Sequence, residues 1–279
     1  MAASARSRRE TRTPLRLAQR RKRRRILFSV LIGIAFVASV GGIIYASYQP
    51  VFAIEWIEIS GAEEVGESEV RAAVEHILYD DRFHIVSQFT ALTYPGKHIE
   101  VDLKERFKRI EKVEVSVNSL LRPSVRVTIV PREPHARWCS DESLAECYIM
   151  DNDGYIFAPL LTEIPLEQRV VYVGVLTEAG MPVGQWYQRN NWRGLQAMVT
   201  ELANSERPVR TIRTVDVFDY EAVLENGLVL KLSYERSPED MLQDLLVVLS
   251  ADALQGRESE LSYIDLRFAG RVYYLLKSE

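Results

Sequence analysis

The sequence predicts an α+β protein in three parts: an N-terminal transmembrane helix, a compact β-α-α-β-β unit, and a mainly antiparallel β domain with two helices. Three observations carry this. From Ile26 to Tyr48 the chain has no acid or base other than the phenols Tyr45 and Tyr48. Two stretches of helical spacing are followed by strict alternation at 113–117 and 125–129. After Pro131 and Pro134 the chain is mostly short apolar runs separated by turn residues.

An apolar stretch as long as 26–48 is sufficient to cross a bilayer as a helix. Residues 1–25 hold eleven Lys or Arg against the single acid Glu10. The positive-inside rule therefore keeps 1–25 as a basic cytoplasmic tail and places everything after Tyr48 outside. A cleavable signal peptide needs a shorter apolar core, and Ala46 before Ser47 offers only a poor cleavage site. The run Arg20 to Arg25 also has the look of a nucleic-acid patch, but topology and anionic lipid account for a basic run abutting a membrane segment. No nucleic-acid partner is expected. Outside the tail the chain sums to minus fourteen, which disfavours anionic lipid or nucleic acid as a target of the exported part. About 230 residues beyond the membrane can bury proper cores without staples.

In the exported part, Val51 to Ser60 reads as a strand, with Phe52, Ile54 and Trp56 on one face and Ile57 and Ile59 on the other. Ser68 is placed to cap a helix with Val70, Val74, Ile77 and Leu78 as its apolar stripe. Residues 79–98, with Tyr94-Pro95-Gly96, read as an irregular insert. A second helix follows with Ile99, Leu103 and Phe107 on one face. Val113, Val115 and Val117, then Val125, Val127 and Ile129, alternate with polar residues and form a hairpin with one buried face. Prolines 131 and 134 mark the boundary, giving units at 49–133 and 134–279.

The second unit reads as strands at 147–150, 155–157, 169–173, 215–218, 222–224, 228–232, 261–266 and 271–276. Glu225-Asn226-Gly227 is a hairpin signal. Helices are expected at 188–202 and 238–249, the latter with Ser237 as cap and Pro238 at its first position. Cys139 and Cys147, the only cysteines, flank a polar loop and suit a disulfide closing a hairpin, a pair of half-buried thiols being the alternative.

No catalytic constellation is present in the sequence, and no metal or cofactor is expected. His76, His84, His98 and His135 sit in four different elements, outside any zinc motif. There is no G-x-S-x-G elbow and no phosphate loop, and Gly174, Gly180 and Gly184 lack the strand-to-helix context of a nucleotide site. Asp151-Asn152-Asp153-Gly154 fails as a calcium loop because Ile149 and Leu160 would occupy its first and last ligand positions. A tight turn is the better reading. The feature suited to binding is the terminal hairpin. Tyr263, Asp265 and Arg267 alternate with Ile264, Leu266 and Phe268, and Arg271 to Leu276 follows a turn at Ala269-Gly270. Such a hairpin either leaves an edge open to a partner's strand or simply completes the sheet.

The layout resembles the FtsQ/DivIB family of bacterial cell-division proteins, built of a basic tail, a membrane helix, a POTRA domain and a β domain. The POTRA resemblance rests on Phe52-Ala-Ile-Glu-Trp-Ile-Glu-Ile-Ser-Gly61, on Ile110 to Val117, and on Val125 to Trp138. In the β domain, Tyr148 to Phe157 and Ser262-Tyr-Ile-Asp-Leu-Arg-Phe268 are similar to family segments. The 79–98 insert, Arg109-Ile110 in place of the usual Pro-Trp, and the cysteine pair depart from the family pattern. The resemblance implies a non-enzymatic divisome scaffold at the septum that links early and late division proteins and helps control septal wall synthesis. It implies binding of FtsB-like and FtsL-like single-pass partners through the last strands. Carried over, that surface falls on Tyr263, Ile264, Asp265, Leu266, Arg267, Phe268, Arg271, Val272, Tyr273, Tyr274 and Leu275. Other divisome proteins would meet the POTRA domain. The rival reading is a POTRA-type envelope protein that receives or chaperones exported polypeptides, which normally continues into a membrane barrel.

Overall fold

The computed structural model describes residues 15–79, 90, 91, 94–119, 123–160, 170–176, 180–252 and 254–277. His84, Arg169, the tail before Leu15 and most of the 79–98 insert lie outside the described residues. Helix α1 (Leu15–Ser47) is unbroken. Its segment Lys22–Ala46 is long and apolar enough to cross a membrane. At 1.5 Å per residue the apolar part from Ile26 to Ser47 spans about 33 Å, against a hydrocarbon core of about 30 Å.

The chain divides into two compact units, one of Met1–Ser60, Ser68–Glu100 and Glu114–Val127, the other of Gly61–Glu67, Val101–Val113 and Thr128–Glu279. The element order β1 (Trp56–Ser60), α2 (Glu67–Leu78), α3 (Gly96–Arg106), β2 (Ile110–Val117), β3 (Ser124–Pro131) is the expected β-α-α-β-β, with sheet order β1-β3-β2. In β3, Val125, Val127 and Ile129 are buried while Arg126, Thr128 and Val130 are exposed, as period-2 alternation requires. Ile99 and Leu103 of α3 and Val70, Val74, Ile77 and Leu78 of α2 are buried.

Two local expectations fail here. The first strand starts only at Trp56, because Pro50–Phe52 forms a 3-10 turn closed by Ala53 N–H to the Pro50 carbonyl. The alternation breaks with it: Ile54 and Ile57 are buried and Trp56 is exposed. Ser68 is not a cap but lies inside α2, since the turn from Ala62 ends at Gly66 (φ 96°) and lets the helix begin at Glu67. Gly61 is required after β1, because a Cβ there would sit 2.0 Å from the Ile129 carbonyl oxygen.

The remaining strands are β4 (Ala136–Cys139), β5 (Cys147–Met150), β6 (Ile156–Pro159), β7 (Val171–Val173), β8 (Val209–Thr214), β9 (Asp219–Leu224), β10 (Val229–Ser233), β11 (Leu261–Asp265) and β12 (Tyr273–Leu276). They form one sheet in the order β12-β11-β10-β9-β8-β7-β4-β5-β6. Five of its eight pairings are antiparallel; β10 with β11, β4 with β7, and β7 with β8 are parallel. Helices α4 (Trp192–Asn204) and α5 (Pro238–Leu249) pack on one face. On that face one row of facing residues, Ile264, Leu230, Ala222, Ile212, Tyr172 and Trp138, crosses six strands and is buried throughout. The Ser237 hydroxyl caps α5 by accepting the Asp240 N–H, as its sequence signals.

Residues 215–218 are not a strand. The Asp216 carboxylate accepts the N–H groups of Phe218 and Asp219 and folds them into the β8–β9 turn, leaving Val215, Val217 and Phe218 exposed. Helix α4 begins at Trp192 rather than near Gln188, whose backbone turns left-handed (φ 45°) before the helix. The sulfurs of Cys139 and Cys147 are bonded, joining directly paired residues of β4 and β5.

Candidate functional site: a bare sheet edge

The sheet has two edges, and they differ. At β6 the neighbouring loop covers the backbone: Ile156 N–H donates to the Gln185 carbonyl at 2.9 Å and Gly184 N–H to the Ile156 carbonyl at 2.8 Å. Pro159, which has no N–H, ends that strand. At β12 the order stops, and all four side chains, Tyr273, Tyr274, Leu275 and Leu276, are exposed. An edge strand of this kind presents a row of backbone donors and acceptors to any incoming strand.

Backbone hydrogen bonds tie down both ends of the edge. A turn at Gly270 (φ 70°) links Arg271 N–H to the Phe268 carbonyl, and beyond β12 Lys277 N–H reaches the Glu260 carbonyl at 2.7 Å. Facing pairs fix the side chains: Leu275 opposite Tyr263, Tyr274 opposite Ile264, Tyr273 opposite Asp265. Tyr274 therefore extends the row that runs back through the helix-covered core, while Tyr273 and Leu275 extend the opposite face. On that opposite face Phe268 meets Tyr273 edge to face at 5.9 Å, and the Lys231 ammonium sits 4.1 Å from the centre of the Tyr263 ring.

Of the eleven residues expected at this surface, Tyr273, Tyr274, Leu275, Phe268 and Arg271 are exposed, and Tyr263, Arg267 and Val272 are half-buried. Ile264, Asp265 and Leu266 are buried, at 0%, 6% and 1% exposure, and hold the edge from beneath. Leu276 joins the exposed group; it was outside the expected surface although the alternation ran through it. Arg267 is internally committed, pairing with Asp219 at 2.7 Å and with both oxygens of Asp265 at 2.9 and 2.7 Å. Its guanidinium is held above its ordinary pKa by the Asp265 and Asp219 hydrogen bonds. Burial pushes the Asp265 carboxyl up, but the hydrogen bonds and charge of Arg267 outweigh it and leave the group below the usual carboxylate range. Asp219 lies 48 residues away on another strand, so no local pattern could reveal it. From Asp265 the face continues through Lys231, Glu221 and Arg213, charges of alternating sign in facing positions. Arg213 and Glu221 pair at 2.8 Å.

Residues 136–267 match the family model described as cell division protein FtsQ/DivIB, C-terminal. Over these residues the chain belongs to the FtsQ/DivIB family. Among curated proteins none matches it. The family match begins at the first residue of β4 and ends at Arg267, so β12 lies beyond it. FtsQ/DivIB proteins are non-catalytic division scaffolds that act through protein contacts within the divisome. With helix α1, this chain is a membrane-anchored cell-division protein.

Proposed function

We propose that the FtsQ/DivIB chain is a divisome scaffold whose β12 edge accepts a strand from an FtsB-like single-pass partner, with FtsL-type partners assembled beside it. In this reading 1–25 is the cytoplasmic tail, 26–48 the membrane span, 49–133 a POTRA domain for recruitment and 134–279 the partner-binding β domain. The protein works at the division septum, linking early and late division proteins and helping control septal wall synthesis.

The observation that supports this is the contrast between the two edges. Proteins blunt edges that have no partner. Here β6 is blunted by a loop and a proline, whereas β12 has no outer neighbour among the described residues and carries exposed aromatic and aliphatic groups. Backbone pairing supplies affinity in such strand addition, and alternate side chains set the register.

The test is co-purification of the full chain with an FtsB-like partner from detergent extracts. Truncation after Gly270 removes β12, and Tyr274→Glu places a charge on the exposed edge. Both are expected to abolish the complex while the chain still inserts in the membrane. Undiminished co-purification of the truncated chain would sink the assignment.

A further inference from the structure

We propose that the crevice at the carboxyl ends of β7 and β8 binds an extended peptide with apolar side chains on either side of one carboxylate, which Arg189 receives. This site is separate from the β12 edge: β8 lies four strands in from β12, roughly 19 Å across the sheet.

The crevice encloses about 690 Å³, within the range of specific ligand sites. Three segments form it. Val175 and Leu176 follow β7, Thr214 to Val217 close β8, and Gly184 to Asn191 lead into α4, apart from the buried Tyr187. Because β7 and β8 are parallel, with α4 between them in the chain, both strands deliver their carboxyl ends to the same place. Open sheets containing parallel strands leave crevices for ligands at such ends.

The lining indicates what fits. Val175 is 83% and Val217 75% exposed, and Val215 stands beside them at 55%. Those methyl groups would lose water on meeting apolar side chains. The side-chain amides of Gln188 and Asn191 make only long hydrogen bonds within the crevice, at 3.5 Å to Thr214 and 3.4 Å to each other. They are the natural complement of a peptide backbone.

Arg189 supplies the charge. It ends a stack of four side chains: Arg132 lies 4.1 Å over the Tyr155 ring, Tyr155 meets Trp186 edge to face at 5.0 Å, and Arg189 lies 5.1 Å over Trp186. The inner guanidinium, Arg132, is neutralised by Asp151. The outer one has no acid partner among the described residues. Asp216, the acid on the crevice wall, is already engaged by the N–H groups of Phe218 and Asp219. The indole face thus positions a guanidinium whose planar N–H fork is unspent among the described residues, and a carboxylate matches that fork best.

The test pans a random heptapeptide library on the full chain in detergent micelles, using wild type, Arg189→Glu, Val217→Asp and Tyr274→Glu. Arg189, Val217 and Tyr274 are exposed, so these variants keep the near-ultraviolet circular dichroism of wild type. Wild type is expected to enrich, at least tenfold, peptides with one Asp or Glu between apolar residues. Arg189→Glu should switch that position to Lys or Arg, and Val217→Asp should lose the apolar flanks. Tyr274→Glu should select as wild type does, which separates this site from the β12 edge. Three outcomes overturn the proposal: no acidic consensus with wild type, the same consensus with Arg189→Glu, or loss of the consensus with Tyr274→Glu.

Discussion

Removing the carboxylate of Asp151 should destabilise the nine-stranded sheet far more than its turn position suggests. The side chains of Asp151 and Arg132 are only 9% and 11% exposed, and they form an ion pair. The other carboxylate oxygen accepts the N–H groups of Asp153 and Tyr155, each at 2.9 Å. Asp151→Asn keeps an oxygen for those N–H groups and loses only the charge. It leaves a buried guanidinium whose remaining partners are the Lys108 carbonyl and the Tyr155 ring. Breaking one partner of such a pair costs about 3 kcal/mol. Asp151→Ala also orphans the Tyr155 N–H, which is out of reach of water, and adds about 1 to 3 kcal/mol. Arg132→Met with Asp151→Asn removes both charges and should recover most of the loss, giving a coupling of at least about 2 kcal/mol. Urea, which does not screen charge, is the denaturant to use on the full chain in micelles, with tryptophan fluorescence as the signal. The Asp151→Asn midpoint should fall by about 1 M, taking a slope near the upper end for small proteins. Additive single effects, within about 0.5 kcal/mol, would refute the ion pair as the cause.

Tyr172, Tyr187, Tyr220 and Tyr234 are held above the ordinary phenol value mainly by burial, Tyr234 to about 12. Neutral phenol stabilises the fold below the ordinary value, and that stability is lost as pH rises toward the folded one, so absorbance at 295 nm should show late ionisation in step with unfolding. A single ordinary titration of all tyrosines would contradict this. Asp265 works in the opposite sense: its lowered pKa stabilises above the usual carboxylate value and the effect is lost as pH falls through the folded one. Arg267→Met should therefore raise the midpoint pH of acid unfolding, measured by far-ultraviolet circular dichroism. Gly154→Ala should cost about 2 kcal/mol or more, seen as a lower melting temperature, because φ is 80° and the new Cβ would lie 2.8 Å from Trp192. Trp192 cannot easily yield, since its indole N–H donates to the Asn152 carbonyl and its ring packs on Tyr172.

Where an element is specified by a local signal, the sequence was sufficient. Ser237-Pro238 fixed the start of α5, and alternation through Val125, Val127 and Ile129 gave the buried face of β3. Where a polar side chain competes with the strand pattern, reading apolar runs failed. Val215, Val217 and Phe218 look like strand residues, but the Asp216 carboxylate captures two backbone N–H groups and makes a turn. The terminal hairpin was legible as a surface, but not the division of labour within it. Asp265 and Arg267 read as exposed charges because alternation places them opposite Ile264 and Leu266. Asp265 is in fact bound to Arg267, and Arg267's second partner, Asp219, becomes visible only when β10, parallel to β11 and antiparallel to β9, brings those strands side by side. The same holds for Arg189, whose stack draws on residues from three separate segments.

A bare edge is a liability for any protein, since a second copy can pair with it as readily as a partner can. The ends of β12 bear on this. Arg271 precedes the strand and Lys277 follows it, and both are exposed. Antiparallel pairing of two copies would bring Arg271 of each near Lys277 of the other; parallel pairing would bring like residue to like. Either arrangement sets cations against cations, which disfavours self-pairing. Under the proposed function the same two charges favour a partner strand with acids at its ends. Confinement of both chains to one membrane raises their effective concentration, so four residues of backbone pairing need not supply high affinity on their own. Reversal of both charges, Arg271→Glu with Lys277→Glu, should thus weaken the complex with an acidic-ended partner strand. A matching reversal on that strand should restore it, as read by co-purification; failure of the matched reversal to restore binding would show that the end charges do not select the partner.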